Sequence, residues 1–182
     1  ETFIDHRDGH IYRFVQIGEQ MWMAENLAYL PEVCPKIDNC GYCGYNFNEG
    51  DTLNAKKAGS YNHFGVLYNY DKAKSSCPTG WRLPDDDDWT NLEKYLGMIS
   101  GEDKVVGWRG SSANVGGKLK SSDDWAVPNT GAKDQSRFHA LPGGYLSKDM
   151  NQFFGLDTSA HFWTNSFSDT NFAWQRHLYF DD

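Results

Sequence analysis

Four consecutive carboxylates, Asp85-Asp86-Asp87-Asp88, are the densest run of acid–base or metal-binding groups in the chain. Oxygen ligands on a loop suit calcium, and on that reading Asp85 and Asp86 are the candidate ligands. The run equally suits the start of a helix. Asp85 can cap, Asp88 falls at the third helical position, and the positive end of the helix dipole favours carboxylates. Trp89, Leu92, Tyr95 and Leu96 then follow as one apolar stripe, so a helix over about 86–96 is the preferred reading and calcium the minor one. Asp123-Asp124, beside Trp125, is a second acidic pair, in a long loop.

Cys34, Cys40, Cys43 and Cys77 permit two disulfides in three connectivities. Three of them lie in a turn-rich stretch where a crosslink would offset missing core, worth typically about 2–4 kcal/mol. The gap in Cys40-Gly41-Tyr42-Cys43 also fits a pair of zinc thiolates, but Cys34 and Cys77 supply no matching second pair. Disulfides are preferred, and they imply an oxidising compartment. The histidines, at 6, 10, 63, 139, 161 and 177, lack the helical i, i+4 spacing of zinc sites and read as hydrogen-bonded surface or core residues. A nucleophile with its base, a pair of working carboxylates or a metal nest would be needed for catalysis. None stands out, so the chain reads as a non-enzyme with no required cofactor.

Recognition of a sugar needs aromatic faces joined by a few amides and charges. Trp163, Asn165, Asn171, Trp174, Arg176, His177 and Tyr179 bring these types close together. Strand alternation divides them, with Trp174, Arg176 and Leu178 on one side and Gln175, His177 and Tyr179 on the other. Trp163 and Trp174 also suit a core. Trp108 and Trp125, in polar Gly-containing loops, are the better exposed stacking residues, whereas Trp22, Trp81 and Trp89 are assigned to the core. The ligand-binding candidates are therefore Trp108, Trp125, Trp163, Asn165, Asn171, Trp174, Arg176 and His177.

These residues need a frame. At 182 residues the chain is long enough for one well-buried core, and it is read as one domain over residues 1–182. Seven Trp combined with a mean hydropathy of −0.69 place large rings among polar residues, as in a loop-rich fold with aromatic anchors. A net charge of −8 without a basic cluster argues against nucleic acid. No run has the length of a membrane span or the pattern of a signal peptide, so a soluble, mature segment is expected.

The run Ile11-Tyr12-Arg13-Phe14-Val15-Gln16-Ile17 alternates as a strand and returns through Gly18-Glu19-Gln20 into Met21-Trp22-Met23. Residues 31–60 read as a long loop, and a short helix over about 68–74 precedes Cys77. Pro78, Gly80 and Pro84 make the stretch from Cys77 to Pro84 a stiff connector that turns Trp81 and Leu83 inward and launches the main helix. Residues 97–131 read as loop. Residues 138–146 read as strand, tight turn and strand, 152–155 as a continuation, and 161–166 with 172–180 as an antiparallel pair.

Several motifs now stand in order: Trp22-Met23-Ala24-Glu25-Asn26-Leu27, Gly65-Val66-Leu67-Tyr68, Cys77-Pro78-Thr79-Gly80-Trp81-Arg82-Leu83-Pro84 with Trp89, Gly117-Lys118-Leu119-Lys120-Ser121, Phe138-His139-Ala140-Leu141-Pro142-Gly143-Gly144-Tyr145 and Phe162-Trp163-Thr164. Over nearly its whole length the chain resembles the Fibrobacter succinogenes major paralogous domain, FISUMP. The resemblance implies an α+β, C-type-lectin-like fold with two helices, a small twisted antiparallel sheet and long loops. It also implies a bacterial protein that is secreted or held at the cell surface. Related lectin-like domains bind sugars or proteins, so the expected function is adhesion or carbohydrate binding. The binding face would use the 101–131 loop, the 147–160 loop and the 164–177 hairpin, with a glycan or a surface protein as partner. The family usually continues past the position of Asp182 into a strand ending in a cysteine. The alternative expectation is thus an assembly module whose terminal strand comes from another chain. Against the family pattern the preferred cysteine arrangement is one local pair among Cys34, Cys40 and Cys43, with a link to Cys77.

Overall fold

The alternating run at Ile11 forms a strand that turns back at Gly18. In the computed structural model, which describes residues 1–33, 41–43, 52–147, 149 and 151–181, strands β1 (Thr2–Ile4), β2 (Ile11–Ile17) and β3 (Gln20–Met23) form an antiparallel sheet in that order. Gly18 has φ 63°, and a Cβ there would lie 2.9 Å from the Tyr95 ring, so both conformation and space call for glycine. The two faces of β2 are not simply buried and exposed. Tyr12 and Ile17, on opposite faces, are both buried, because β2 passes from one core cluster to a second and changes its buried side on the way.

One cluster gathers Ile17, Trp22, Trp89, Leu92, Leu119 and Phe138 with the flanking Phe162 and Leu178. The other gathers Tyr12, Leu30, Tyr42, Tyr61 and Val66. Trp22 and Trp89 thus take their expected core positions, with ring centroids 5.0 Å apart. Trp81 is only half-buried, stacked on Phe3 at 4.7 Å.

Five helices occur among the described residues where two were expected. Helices α1 (Thr52–Lys57) and α2 (Gly59–Phe64) occupy part of the expected 31–60 loop, each with a single buried residue, Ala55 and Tyr61. So sparse an apolar pattern carries no readable period. Strand β4 (Tyr42–Cys43) pairs with β5 (Leu67–Tyr68), and helix α3 (Tyr70–Ser75) follows, capped by Asn69. Helix α4 (Asp86–Tyr95) lies within a residue of its expected span. Helix α5 (Val115–Leu119) interrupts the expected 97–131 loop.

Strands β6 (Gly143–Ser147), β7 (Gln152–Leu156), β8 (Ser159–Phe167) and β9 (Ala173–Tyr179) form a sheet in the order β7-β6-β8-β9. This sheet is mixed, because β6 meets β8 in parallel at Gly144 and Ala160, whereas the other pairs are antiparallel. A side chain at Gly144, φ 64°, would strike the Phe154 carbonyl of β7. Residues 138–142 are not the expected strand. Asp134 Oδ1 accepts from the backbone N–H of His139 at 3.0 Å, both residues have positive φ, and Ala140 makes only an isolated bridge with Lys120.

The expected crosslinks through Cys43 and Cys77 are not formed, and both carry free thiols. Cys43 is sealed in β4 at 1% exposure, and burial pushes its thiol up to about 12. Cys77 Sγ lies 3.9 Å from the Ala73 carbonyl at the end of α3. Cys34 and Cys40 lie outside the described residues.

Candidate functional site

The β8–β9 register decides which side chains can act together. It sets His161 opposite His177, Trp163 opposite Gln175, and Ser159 opposite Tyr179. Because side chains alternate across a strand, this set shares one face, and Phe162, Arg176, Ala160 and Leu178 share the other. Phe162 and Leu178 pack on the core, which makes theirs the inner face.

The outer face carries a row of rings running across all four strands. Phe154 of β7 lies 5.8 Å from Tyr145 of β6, Tyr145 lies 4.6 Å from His161 of β8, and His161 lies 4.3 Å from His177 of β9. Tyr179, further along β9, is 5.4 Å from Trp108, which the 101–110 segment presents at 71% exposure. Burial and the neighbouring His177 pull His161 down to about 4, and burial lowers His177 as well, so both imidazoles are neutral at pH 7.

A groove of about 1620 Å³ opens beside this row. Tyr145, His161, Trp163 and Gln175 line it from the sheet, Trp81 and Arg82 from the stiff connector. Trp163 is fixed there by a 2.9 Å hydrogen bond from its Nε1 to the Tyr68 carbonyl and by the edge of the Tyr70 ring. Drug-sized ligands fill sites of roughly 300–1,000 Å³, so this groove suits something longer.

The connector and the acidic run set the angle of α4. Asp85 Oδ1 accepts from the backbone N–H of Asp88 at 2.9 Å, and Asp88 Oδ2 accepts from that of Asp85 at 2.8 Å, a complete capping box. Arg82 reaches back to Asp88 at 2.7 Å. Burial would raise the Asp88 carboxyl, but the hydrogen bonds from Arg82 and Asp85 outweigh it and hold the group below the ordinary range. Asp86 takes Arg176 at 2.6 Å. The oxygens of Asp85 and Asp86 offered for calcium are thus engaged in helix capping and ion pairing. Asp124 pairs with His63 at 3.0 Å.

The sequence candidates are divided by the fold. Trp108, Trp163 and His177 lie on the outer face or its margin, and Asn171 lines the groove. Asn165 is exposed, with its backbone N–H tied to the Pro84 carbonyl at 2.8 Å. Trp174 shares the inner side with Arg176, whose guanidinium is taken by Glu93 at 2.9 Å and Asp86. Trp125, expected to be exposed, is 7% exposed, with Nε1 donating to the Ala140 carbonyl at 3.0 Å and Lys120 over its ring. That distant carbonyl draws the indole inside despite its polar sequence neighbours.

Tyr145, Phe154, His161 and Gln175 were not among the sequence candidates. Folding the 159–167 and 173–179 runs about their turn would set His161 opposite Tyr179, and the register shift between Trp163 and Phe167 is what brings His177 there. Tyr145 and Phe154 needed the parallel β6–β8 contact, which no local pattern announces.

Taken together, these features define a mixed α/β protein with several small sheets and an aromatic-lined groove. The chain belongs to the Fibrobacter succinogenes major domain family, whose model matches residues 15–181. No curated protein and no solved structure matches it. Among the described residues no helix is long and apolar enough to cross a membrane.

Proposed function

We propose that this chain is a non-enzymatic, C-type-lectin-like binding module of a secreted or surface-attached bacterial protein, and that it recognises a glycan on the outer face of its four-stranded sheet. The observation that carries this reading is the run of rings from Phe154 through Tyr145, His161 and His177 to Tyr179 and Trp108, beside a groove that also holds Trp163 and Gln175. Aromatic side chains give apolar area to the faces of sugar rings, and a few amides bond their hydroxyls. Asn69, Asn171 and Gln175 line the groove and supply such amides. A surface protein is the rival ligand for the same face. A glycan array and a cell-binding assay with the purified chain should each retain ligand. Blank results in both, with and without calcium, would overturn the proposal.

A second reading is favoured by the position of β9 at the end of the sheet. An edge strand can accept a strand from another chain, which would make the domain an assembly module. Sedimentation of the full-length chain separates the two readings: a monomer at all concentrations, with its β9 amides protected from exchange, contradicts assembly.

A further inference from the structure

His139 lines the groove, and the chain holds it there in a turn of left-handed backbone. Asp134, Arg137 and His139 have φ of 44°, 60° and 58°, a conformation that Asp and His tolerate better than most side chains. Such backbone persists only where surrounding bonds hold it, and it gathers at functional sites. Here one carboxylate is the clamp. Asp134 Oδ1 accepts from the His139 backbone N–H at 3.0 Å, and Asp134 Oδ2 lies 2.8 Å from Nδ1 of the ring. A carboxylate only accepts, so Nδ1 carries the hydrogen and, in the neutral ring, Nε2 carries the lone pair.

His139 lines the groove and Asp134 does not, which puts the Nδ1 edge of the ring at the rear and Nε2 at the front. The side chain keeps 31% of its surface in solvent, and Nε2 is not among the buried polar atoms that lack a partner. Other polar groups of the lining are already engaged: Gln175 Oε1 takes the His177 ring, and Arg82 and Asp88 neutralise each other. We infer that His139 Nε2 accepts a hydrogen bond from a hydroxyl of the glycan in this groove, with Asp134 as the positioning residue that fixes the accepting tautomer. This role rests on the glycan reading of the groove. A hydroxyl has the hydrogen that the lone pair requires, whereas an ionised carboxylate or an ether oxygen has none to offer. His139 therefore selects a sugar unit with a free hydroxyl at this point over one in which that hydroxyl is missing, methylated or oxidised.

The test begins with long-range ¹H–¹⁵N NMR of the full chain at a pH where the ring is neutral, which should place the His139 hydrogen on Nδ1. Titration with a glycan retained on the array should move Nε2. The monodeoxy analogue that lacks the donated hydroxyl should bind about 10-fold more weakly and leave Nε2 in place. In Asp134→Asn the amide oxygen stays with the backbone N–H and the amide N–H faces Nδ1, so the ring hydrogen moves to Nε2. That variant should exchange the two ¹⁵N signals and lose about 10-fold in affinity for the parent glycan, with no further loss for the deoxy analogue. His139→Asn suits the same backbone and can still donate to Asp134, and it should lose affinity to the same extent. Thermal melting checks the fold of each variant, and the wild-type arms decide alone if one is not folded. A hydrogen on Nε2 in the wild type overturns the role outright. A retained glycan that leaves Nε2 unmoved, or a deoxy analogue discriminated equally by the wild type and His139→Asn, overturns it while glycan binding stands. An array that retains no glycan overturns both.

Discussion

Arg176 on β9 closes a 2.9 Å ion pair onto Glu93 of α4, and the two side chains keep only 13% and 8% of their surface in contact with solvent. Arg109 meets the other oxygen of Glu93 at 2.7 Å, so one carboxylate joins the sheet, the main helix and the segment that presents Trp108. Breaking a buried pair leaves a charge without its partner. Glu93→Leu, which takes this carboxylate from both Arg176 and Arg109, should destabilise the fold by about 3 kcal/mol, and Arg176→Ala, after which Arg109 still partners Glu93, should cost less. Chemical denaturation of both variants checks this.

The cap of α4 gives a smaller effect. Asp85→Ala removes the acceptor for the Asp88 N–H and should cost about 1 kcal/mol, while Asp85→Asn, which can still accept, should cost less. Denaturant midpoints at pH 7 distinguish the two. Asp88 adds a pH dependence: its carboxyl is held below its ordinary value in the fold, so its contribution is present above the unfolded pKa and lost as pH falls through the lower folded value.

His161 acts in a higher pH window. Its folded pKa, about 4, lies below the 6.5 of a free imidazole, so between these values the unfolded chain binds the extra proton. Stability from this group is intact above pH 6.5, falls as pH drops towards 4, and levels off below. His177 is shifted in the same direction. Melting temperatures across pH 7 to 4 should fall in the wild type and fall less in His161→Gln, and NMR titration should place the His161 midpoint near 4.

Burial also separates the two loop tryptophans. Trp125→Phe loses the bond to the Ala140 carbonyl from inside the core and should cost about 1–3 kcal/mol. Trp108→Ala, at a largely exposed site, should change stability by less than about 0.5 kcal/mol. Thermal melts of the two variants provide the comparison.

What could be read in the sequence follows the range of the interactions involved. Helix α4 announced itself because cap, dipole and apolar stripe all lie within twelve residues, and the β2–β3 hairpin because alternation and its glycine turn are local. Helices α1 and α2 stayed hidden because each buries one side chain. The division of β9 into Arg176 and His177 faces was legible from period two alone. Which face looked outward was not, because Glu93 on α4 and the core cluster against which Leu178 packs determine it from other parts of the chain. Trp125 was misplaced for the same reason: its sequence neighbours are polar, and the carbonyl that holds it is fifteen residues away.

The most direct measurement of outer-face recognition is the affinity of a glycan retained on the array for the wild type, Tyr145→Ala and Trp108→Ala, each checked for an unchanged melting temperature. Removing a stacking ring should weaken binding by about 10-fold, or ~1.4 kcal/mol, in each variant. A retained glycan whose affinity is unchanged in both variants, or a folded wild type that retains none, would contradict it.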